Sequence, residues 1–294
     1  MKKILITGAS GYLGAYLCRK LSMRGTPNVY ALYKTTKPAF PHINYIQCDL
    51  MKLNDLTRIV EKIRPEIIYH LASVTPTRIG DKGNDYVEFF NHLVTGHIAR
   101  LSEEMNTLLI FTSTDLVYKE GENIHEKSIL EPCSIYAESK LNGEEVIQSL
   151  APKYVILRMS LVYGLTLNSY TTFFDEAYRT LKAGKEIHAF VDMYRKPIYV
   201  KDAVFNLLNL PDIYEENIVM NFCGIDYISR YDMCRTIAEV CGYDVGLIKK
   251  TRCEDIKNGV WVKKLGLNNQ LMLLYGLSAL SYKENVRKSM SSKY

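Results

Sequence analysis

The sequence predicts an α/β fold in which a doubly wound parallel sheet takes up most of the first half and a smaller α/β lobe the second. Three observations predict it. Short β-branched or aliphatic runs alternate with longer segments of helical period, the rhythm of βαβ units. Several of these runs are apolar throughout, as strands are when helices cover both faces of a sheet. The first run leads directly into a glycine-rich turn and a helical segment, Thr7-Gly8-Ala9-Ser10-Gly11-Tyr12-Leu13-Gly14. The 294 residues, 47% hydrophobic and 23% charged, suit one large domain or a large domain with a small companion.

Taken in order, strands are expected over residues 3–7, 29–33, 45–47, 67–71, 108–112 and 155–158, with helices between them over 11–24, 53–63, 86–104 and 135–150. A long loop, 116–134, precedes the last of these helices. After about Gly164 the rhythm changes to a helix over 172–183, strands over 186–190 and 198–201, a helix from Asp202, a strand over 217–222 and a helix over 230–240. Ser281-Tyr282-Lys283-Glu284 announces a final helix, because Ser and Glu at this spacing satisfy free first-turn amides reciprocally. The expected division is a core over 1–164, to which parts of 191–222 return, and a smaller lobe mainly over 165–294.

Composition excludes several classes. The net charge of +5 is spread over the whole length, so nucleic acid is not an expected partner. No apolar run approaches the ~18 residues of a spanning helix, so no membrane is expected either. Met1-Lys2-Lys3 before Ile4-Leu5-Ile6 imitates a signal peptide, but Gly8, Ser10 and Gly11 cut the run short, and a cytoplasmic location is expected. The seven cysteines are scattered without a CxxC pair, which points to buried small hydrophobes rather than disulfides. Six histidines form no HxxxH or HExxH pattern, so no metal is expected. His70, at the end of the fourth strand, lies nearest the chemistry.

The glycine loop carries the first functional signal. A tight turn at Gly8, close backbone approach at Gly11 and helix packing at Gly14 would set the amides around Tyr12 and Leu13 against a dinucleotide pyrophosphate, making this half a Rossmann-like core. The second strand ends without an acid to take the ribose hydroxyls of NAD. Lys34 and Lys37 stand there instead, which favours NADPH, with NADH as the alternative. Asp49 and Leu50 after the third strand are expected at the adenine. Leu71, Ala72 and Ser73 after the fourth, with Thr112 on the fifth, are expected at the ribose and nicotinamide.

A Tyr four residues before a Lys puts both on one helical face, where the ammonium lowers the phenol pKa. Five such pairs occur, Tyr16/Lys20, Tyr30/Lys34, Tyr33/Lys37, Tyr136/Lys140 and Tyr178/Lys182. Only Tyr136/Lys140 opens a helix after the fifth strand, whose end, Thr112-Ser113-Thr114-Asp115, brings hydroxyls to the carboxyl edge of the sheet. Arg158 and Arg195 are the cationic candidates for a nucleotide diphosphate. Trp261, beside Val260 and Val262, reads as a core anchor of the small lobe.

These motifs resemble the extended short-chain dehydrogenase/reductases, in particular their dTDP-4-dehydrorhamnose reductase branch. The resemblance rests on residues 7–14, on Pro65-Glu-Ile-Ile-Tyr-His-Leu-Ala72, Ser113-Thr-Asp-Leu-Val-Tyr118, Tyr136-Ala-Glu-Ser-Lys140 with Leu141-Asn-Gly-Glu144, Leu157-Arg-Met-Ser-Leu-Val-Tyr-Gly164 and Arg195-Lys-Pro-Ile-Tyr-Val-Lys-Asp202. It implies hydride transfer to the 4-keto carbon of a nucleotide-linked 6-deoxysugar. Tyr136 would protonate the oxygen, Lys140 would hold the nicotinamide ribose, and Thr114 would bond the same oxygen. Asp115, Leu161 and Arg195 would join Thr114 and Tyr136 around the substrate. Leu116 stands where related dehydratases carry an acid and GDP-fucose epimerase-reductases a Cys, and Leu161 where rhamnose reductases commonly carry a Trp. The β subunit of methionine adenosyltransferase also resembles this branch, so a non-catalytic NADP-binding subunit is one alternative and a nucleotide-sugar epimerase another. Two-helix faces in this superfamily often pair, which makes a homodimer compatible with the resemblance.

Overall fold

The computed structural model describes residues 2–75, 83–167, 171–256 and 261–291. The chain divides into two compact units. The first comprises Met1–Val117, Glu131–Arg158 and Leu207–Met220; the second comprises Tyr118–Leu130, Met159–Asn206 and Asn221–Tyr294. Among the described residues no helix is long and apolar enough to cross a membrane.

The α/β fold with a parallel sheet is what the structure shows. β1 (Ile4–Thr7), β2 (Val29–Tyr33), β3 (Asn44–Gln47), β4 (Ile67–His70), β5 (Leu108–Thr114), β7 (Lys153–Met159) and β12 (Ile218–Phe222) form a seven-stranded sheet in the order β12-β7-β5-β4-β1-β2-β3. Register runs Ile4 to Val29 on one side of β1 and Ile4 to Ile67 on the other, both parallel. The sheet therefore turns both ways from β1, and Thr7 and His70, paired across it, reach the carboxyl edge together. β1, β4 and β5 are buried along their whole length, which is why they read as unbroken apolar runs.

Helices α1 (Tyr12–Met23), α2 (Leu53–Ile63), α4 (Val94–Met105) and α5 (Ile135–Leu150) belong to this unit. On α2 the apolar positions Leu56, Val60 and Ile63 recur at helical spacing and are buried against the same core as Leu5, Leu32, Ile68, Leu109 and Phe111 of the sheet. Each fully buried Leu or Ile contributes roughly 1.5–3 kcal/mol. α2 and α4 both stop at a residue in the left-handed region, Arg64 at φ 50° and Asn106 at φ 53°.

The single helix expected over 86–104 is interrupted. α3 (Gly83–Glu88) runs into a π-helical turn, Phe89–Leu93, before α4 begins. The wider turn buries the polar Asn91, whose amide is consumed by hydrogen bonds described below. The expected loop over 116–134 is also corrected. It contains a 3-10 turn, Asp115–Val117, and a strand, β6 (Gly121–Ile124), and it closes through a bridge between Tyr118 and Leu130. Alternation is weak over four residues, and β6 exists through the pairing of Gly121 and Ile124 with Leu265 and Leu267 of β15 (Lys264–Leu267), which local pattern does not carry.

In the second unit, β13 (Ile228–Ser229), β10 (Tyr194–Arg195), β15 (Lys264–Leu267) and β6 make a four-stranded sheet. β8 (Val162–Tyr163) pairs with β11 (Ile198–Tyr199), and β9 (Ile187–Phe190) with β14 (Ile248–Thr251). The strand expected over 198–201 ends at Tyr199, where helix α7 (Val200–Ile213) starts. α6 (Phe173–Lys182) is opened by a capping box of Thr172 and Asp175, and α8 (Arg230–Cys241) is capped by Ser229. α9 (Tyr282–Ser291) begins at the expected box: Glu284 N–H donates to Ser281 Oγ at 3.3 Å and Ser281 N–H to Glu284 Oε2 at 3.0 Å. Tyr163, Phe174, Tyr199 and Tyr282 pack in an aromatic core, the Tyr163 and Tyr282 rings 4.5 Å apart. Trp261 packs on Phe190 with centroids 5.0 Å apart, while Val260 lies outside the described residues.

Candidate active site

The glycine loop joins β1 to α1. Gly8 sits at φ +71°, and a Cβ there would come within 2.7 Å of the Ala72 nitrogen; a Cβ at Gly14 would come within 2.2 Å of the Gly8 carbonyl. The loop and the first turn of α1 therefore pack at distances that only glycine permits. Gly11 N–H donates to Gly8 O at 2.9 Å, so this amide closes the turn. Gly11, which has no side chain of its own, caps α1, so Tyr12 and Leu13 begin a helix N-terminus of the kind that receives an anion.

Two residues assigned separately from sequence, Lys34 and Asp49, are brought together. Lys34 Nζ lies 2.8 Å from Asp49 Oδ2 at the ends of β2 and β3. That hydrogen bond raises the Lys34 pKa. Leu50 is buried beside Asp49, and Lys37 lies over the Tyr45 ring at 5.8 Å.

His70 proves to be a tie between elements. Its Nδ1 lies 2.7 Å from Thr7 Oγ1 and its Nε2 3.0 Å from Thr95 Oγ1, so it joins β4 to β1 and to α4. Burial, with the Lys140 charge adding to it, brings its pKa down to about 3, and the imidazole is neutral. Thr7 Oγ1 accepts in turn from Ala72 N–H at 3.3 Å, which fixes the segment leaving β4.

The groups expected to carry chemistry do converge in the first unit. β5 runs two residues past its expected end, so Ser113 and Thr114 are strand residues; Thr112 is also on it and bonds the His70 carbonyl at 3.4 Å. Ser134 caps α5 by accepting from Ala137 N–H, which sets Tyr136 in the first turn and Lys140 one turn on. The Tyr136 hydroxyl hydrogen-bonds the side chains of Ser73 and Thr114. The lowered phenol pKa expected from the Tyr136/Lys140 spacing is corrected: burial pushes it up to about 12, the Asp115 carboxylate adds to the rise, and the two hydroxyl bonds oppose it. Thr114 Oγ1 also accepts from Leu116 N–H at 3.3 Å and faces Asp115 Oδ1 at 3.4 Å.

Lys140 is 1% exposed, and its Nζ finds no hydrogen-bond partner among the described residues. It rests 3.9 Å above the centre of the Phe111 ring. Burial brings its pKa down to about 7, against the attraction of Glu144. An orphaned buried ammonium one turn from a hydroxyl-bonded phenol, together with the glycine loop, fits a nicotinamide dinucleotide: Lys140 would take the ribose hydroxyls and the α1 terminus the pyrophosphate.

Sequence reasoning missed the supports of this group. Asn91 Oδ1 accepts from Val74 N–H at 2.9 Å and Ser73 Oγ at 3.2 Å, while its Nδ2 donates to Val74 O and Ser139 Oγ, both at 3.1 Å. It thereby holds Ser73 at Tyr136. A polar residue on the inward face of an apolar helical segment was the available signal. Arg158, expected as a cation for a diphosphate, is corrected: it is buried and gives three hydrogen bonds of 2.7–3.1 Å to Glu144.

In the second unit Arg195 is buried, and its guanidinium donates to the carbonyls of Tyr194, Lys263 and Val262 at 2.7, 3.2 and 2.9 Å. It therefore braces β10 against the segment entering β15. Leu161 is half-buried, its carbonyl accepting from Ile198 N–H at 2.9 Å.

Comparison with known proteins finds that residues 1–260 match the family model described as RmlD substrate binding domain. The dTDP-4-dehydrorhamnose reductase of Aggregatibacter actinomycetemcomitans is 26% identical over 246 residues, covering 81% of this chain and 78% of that protein. Methionine adenosyltransferase 2 subunit beta of Xenopus tropicalis is 23% identical over 248 residues, covering 81% and 72%. The crystal structure of dTDP-4-dehydrorhamnose reductase from Bacillus anthracis in complex with NADP has the same fold, with a TM-score of 0.80 at 23% identity over 98% of this chain and 97% of that one.

Proposed function

The chain belongs to the family described by the RmlD substrate binding domain, and from that premise we propose that it is an NADPH-dependent reductase of the 4-keto group of a nucleotide-linked 6-deoxysugar. The observation that carries the proposal is the Tyr136 hydroxyl, held by Ser73 and Thr114 one helical turn from the buried ammonium of Lys140, which has no hydrogen-bond partner among the described residues. The reductase relative and the NADP complex of the Bacillus anthracis enzyme support the same reading.

A bound, reduced nicotinamide supplies the hydride. The carbonyl carbon takes it, and the carbonyl oxygen takes the phenolic proton of Tyr136, so a ketone becomes a secondary alcohol. A phenol pushed up to about 12 is fully protonated at neutral pH and is an acid whose proton is available when charge develops on the oxygen. Thr114 Oγ donates to the same oxygen, and Lys140 stabilises the tyrosinate left behind. Asp115 lines the substrate side of Tyr136. Leu116 offers no base at the position where a dehydratase needs one, so the reaction stops at reduction.

The test is NADPH oxidation, followed by absorbance, on a panel of dTDP-, CDP-, GDP- and UDP-4-keto-6-deoxysugars, with NADH in parallel. Turnover on one of them is expected, and faster with NADPH. The similarity to methionine adenosyltransferase 2 subunit beta favours one second reading, a non-catalytic NADP-binding subunit. Tight NADPH binding without turnover on any of the panel is the result that would replace the first reading with the second.

A further inference from the structure

Glu144 lies one helical turn beyond Lys140 on α5, is 0% exposed, and is held from two strands. From β7, Arg158 Nε reaches both carboxylate oxygens, at 3.1 and 3.0 Å, and Nη2 reaches Oε2 at 2.7 Å. From β5, Ser113 Oγ donates to Oε1. Ser113 is the residue before Thr114. The strand that presents Thr114 to Tyr136 and the helix that presents Tyr136 and Lys140 are thus pinned to each other at this one carboxylate. A bidentate guanidinium pair is directional as well as strong, so it sets the position of α5 along the sheet and not only its distance.

We propose that Glu144 is a positioning residue for the Tyr136–Lys140 pair, registering α5 on β5 and β7 and setting beside Lys140 a negative charge that Arg158 opposes. The inference rests on the reading of Tyr136 and Lys140 given above. Three charges follow one another through the interior, Lys140, Glu144 and Arg158, positive, negative and positive. The other groups around Lys140 leave Glu144 as its electrostatic counterweight. Phe111 of β5 offers a ring face, His70 of β4 is neutral, Tyr136 of α5 is a protonated phenol, and Asp115 after β5 acts on Tyr136.

Removing either member of the clamp should therefore move Lys140 in opposite directions, which a purely structural clamp would not do. Glu144→Gln removes the negative charge that favours the Lys140 ammonium, so the Lys140 proton is lost at lower pH. Arg158→Met leaves Glu144 unopposed, so the proton is held to higher pH. A shift of roughly one pH unit is expected on loss of the Glu144 charge one helical turn away, and a smaller one on loss of Arg158. The readout is the titration of the Lys140 side chain by NMR, its resonance identified by its absence in Lys140→Met. The pH profile of turnover is recorded alongside.

Because one unpaired buried charge can cost the fold, the double variant Glu144→Met/Arg158→Met is included; replacing a buried pair by apolar side chains is often neutral in stability. It should titrate below the parent, since the nearer charge is the one that attracts. Opposite shifts in the single variants with an acid shift in the double sustain the proposal. Parent-like titration in Glu144→Gln or in the double variant overturns it, as does a shift in the same direction in both single variants. A parent that titrates as expected but turns over no ketosugar would count against the proposed function and leave this inference standing.

Discussion

Tyr136 is one of several tyrosines four residues before a lysine, and what singles it out is the company of Ser73, Thr114 and a buried Lys140. Tyr136→Phe removes the transferable proton while leaving the ring in place, so turnover should fall roughly 10²–10⁴-fold. NADPH affinity, measured by fluorescence titration, should change little. Lys34, expected from sequence at the phosphate of NADPH, stands at the end of its strand, where it is paired with Asp49 at 2.8 Å. The pair is solvent-exposed on the lysine side, so it is worth little in stability and remains available to an added phosphate. Lys34→Asp places two carboxylates together and should weaken NADPH binding more than NADH binding. Equal losses in paired titrations would put the discrimination elsewhere.

At the scale of elements, the interruption of the helix over 86–104 matters most. A straight α-helix through Phe89–Leu93 would rotate Asn91 away from Val74, and the π turn instead brings its amide to the segment between β4 and the candidate site. Asn91→Ala removes two bonds to the Val74 backbone and leaves buried donors and acceptors unmet, at a cost of about 2–4 kcal/mol. Turnover should fall more than stability accounts for, because Ser73 loses its holder; urea denaturation beside steady-state kinetics at a temperature where both proteins are folded separates the two effects. The helix over 53–63 and the strand over 29–33 were legible to the residue, because each carries its own amphipathic or apolar period and its own stop signal. β6 and β10 were not, being short strands whose existence depends on partners far along the chain.

For the whole molecule, two buried bases make stability depend on pH with the same sign. His70 is brought down to about 3 and Lys140 to about 7, so in each case the folded state binds fewer protons than the unfolded chain between the shifted and the ordinary value. Stability must then rise with pH across both windows, from about 3 to 6.5 through His70 and from about 7 upward through Lys140. The slope for each is at most about 1.4 kcal/mol per pH unit. Above pH 9 the buried Cys18 thiol, pushed up to about 12, opposes the trend, since it holds its proton when the unfolded chain does not. Denaturation curves between pH 7 and 9 should show the rise in the parent and its loss in Lys140→Met. A parent with a flat profile there would mean that the Lys140 ammonium is not destabilised by its burial.

The sequence by itself determined the parallel α/β core and the glycine loop and singled out Tyr136, Lys140 and Thr114 as candidates, because these follow from periods, spacings and backbone demands that act over a few residues. Glycine at 8 and 14, for example, answers to distances that any side chain would violate. Tertiary structure alone decided which charges are paired. Arg158 looked like a cation for a ligand and is the partner of Glu144; Lys34 and Asp49 looked like separate contacts and form one pair; Arg195 braces backbone carbonyls. The physical reason is that a charge takes its partner from whatever the fold brings within about 4 Å, and that distance is set by the packing of elements rather than by separation along the chain.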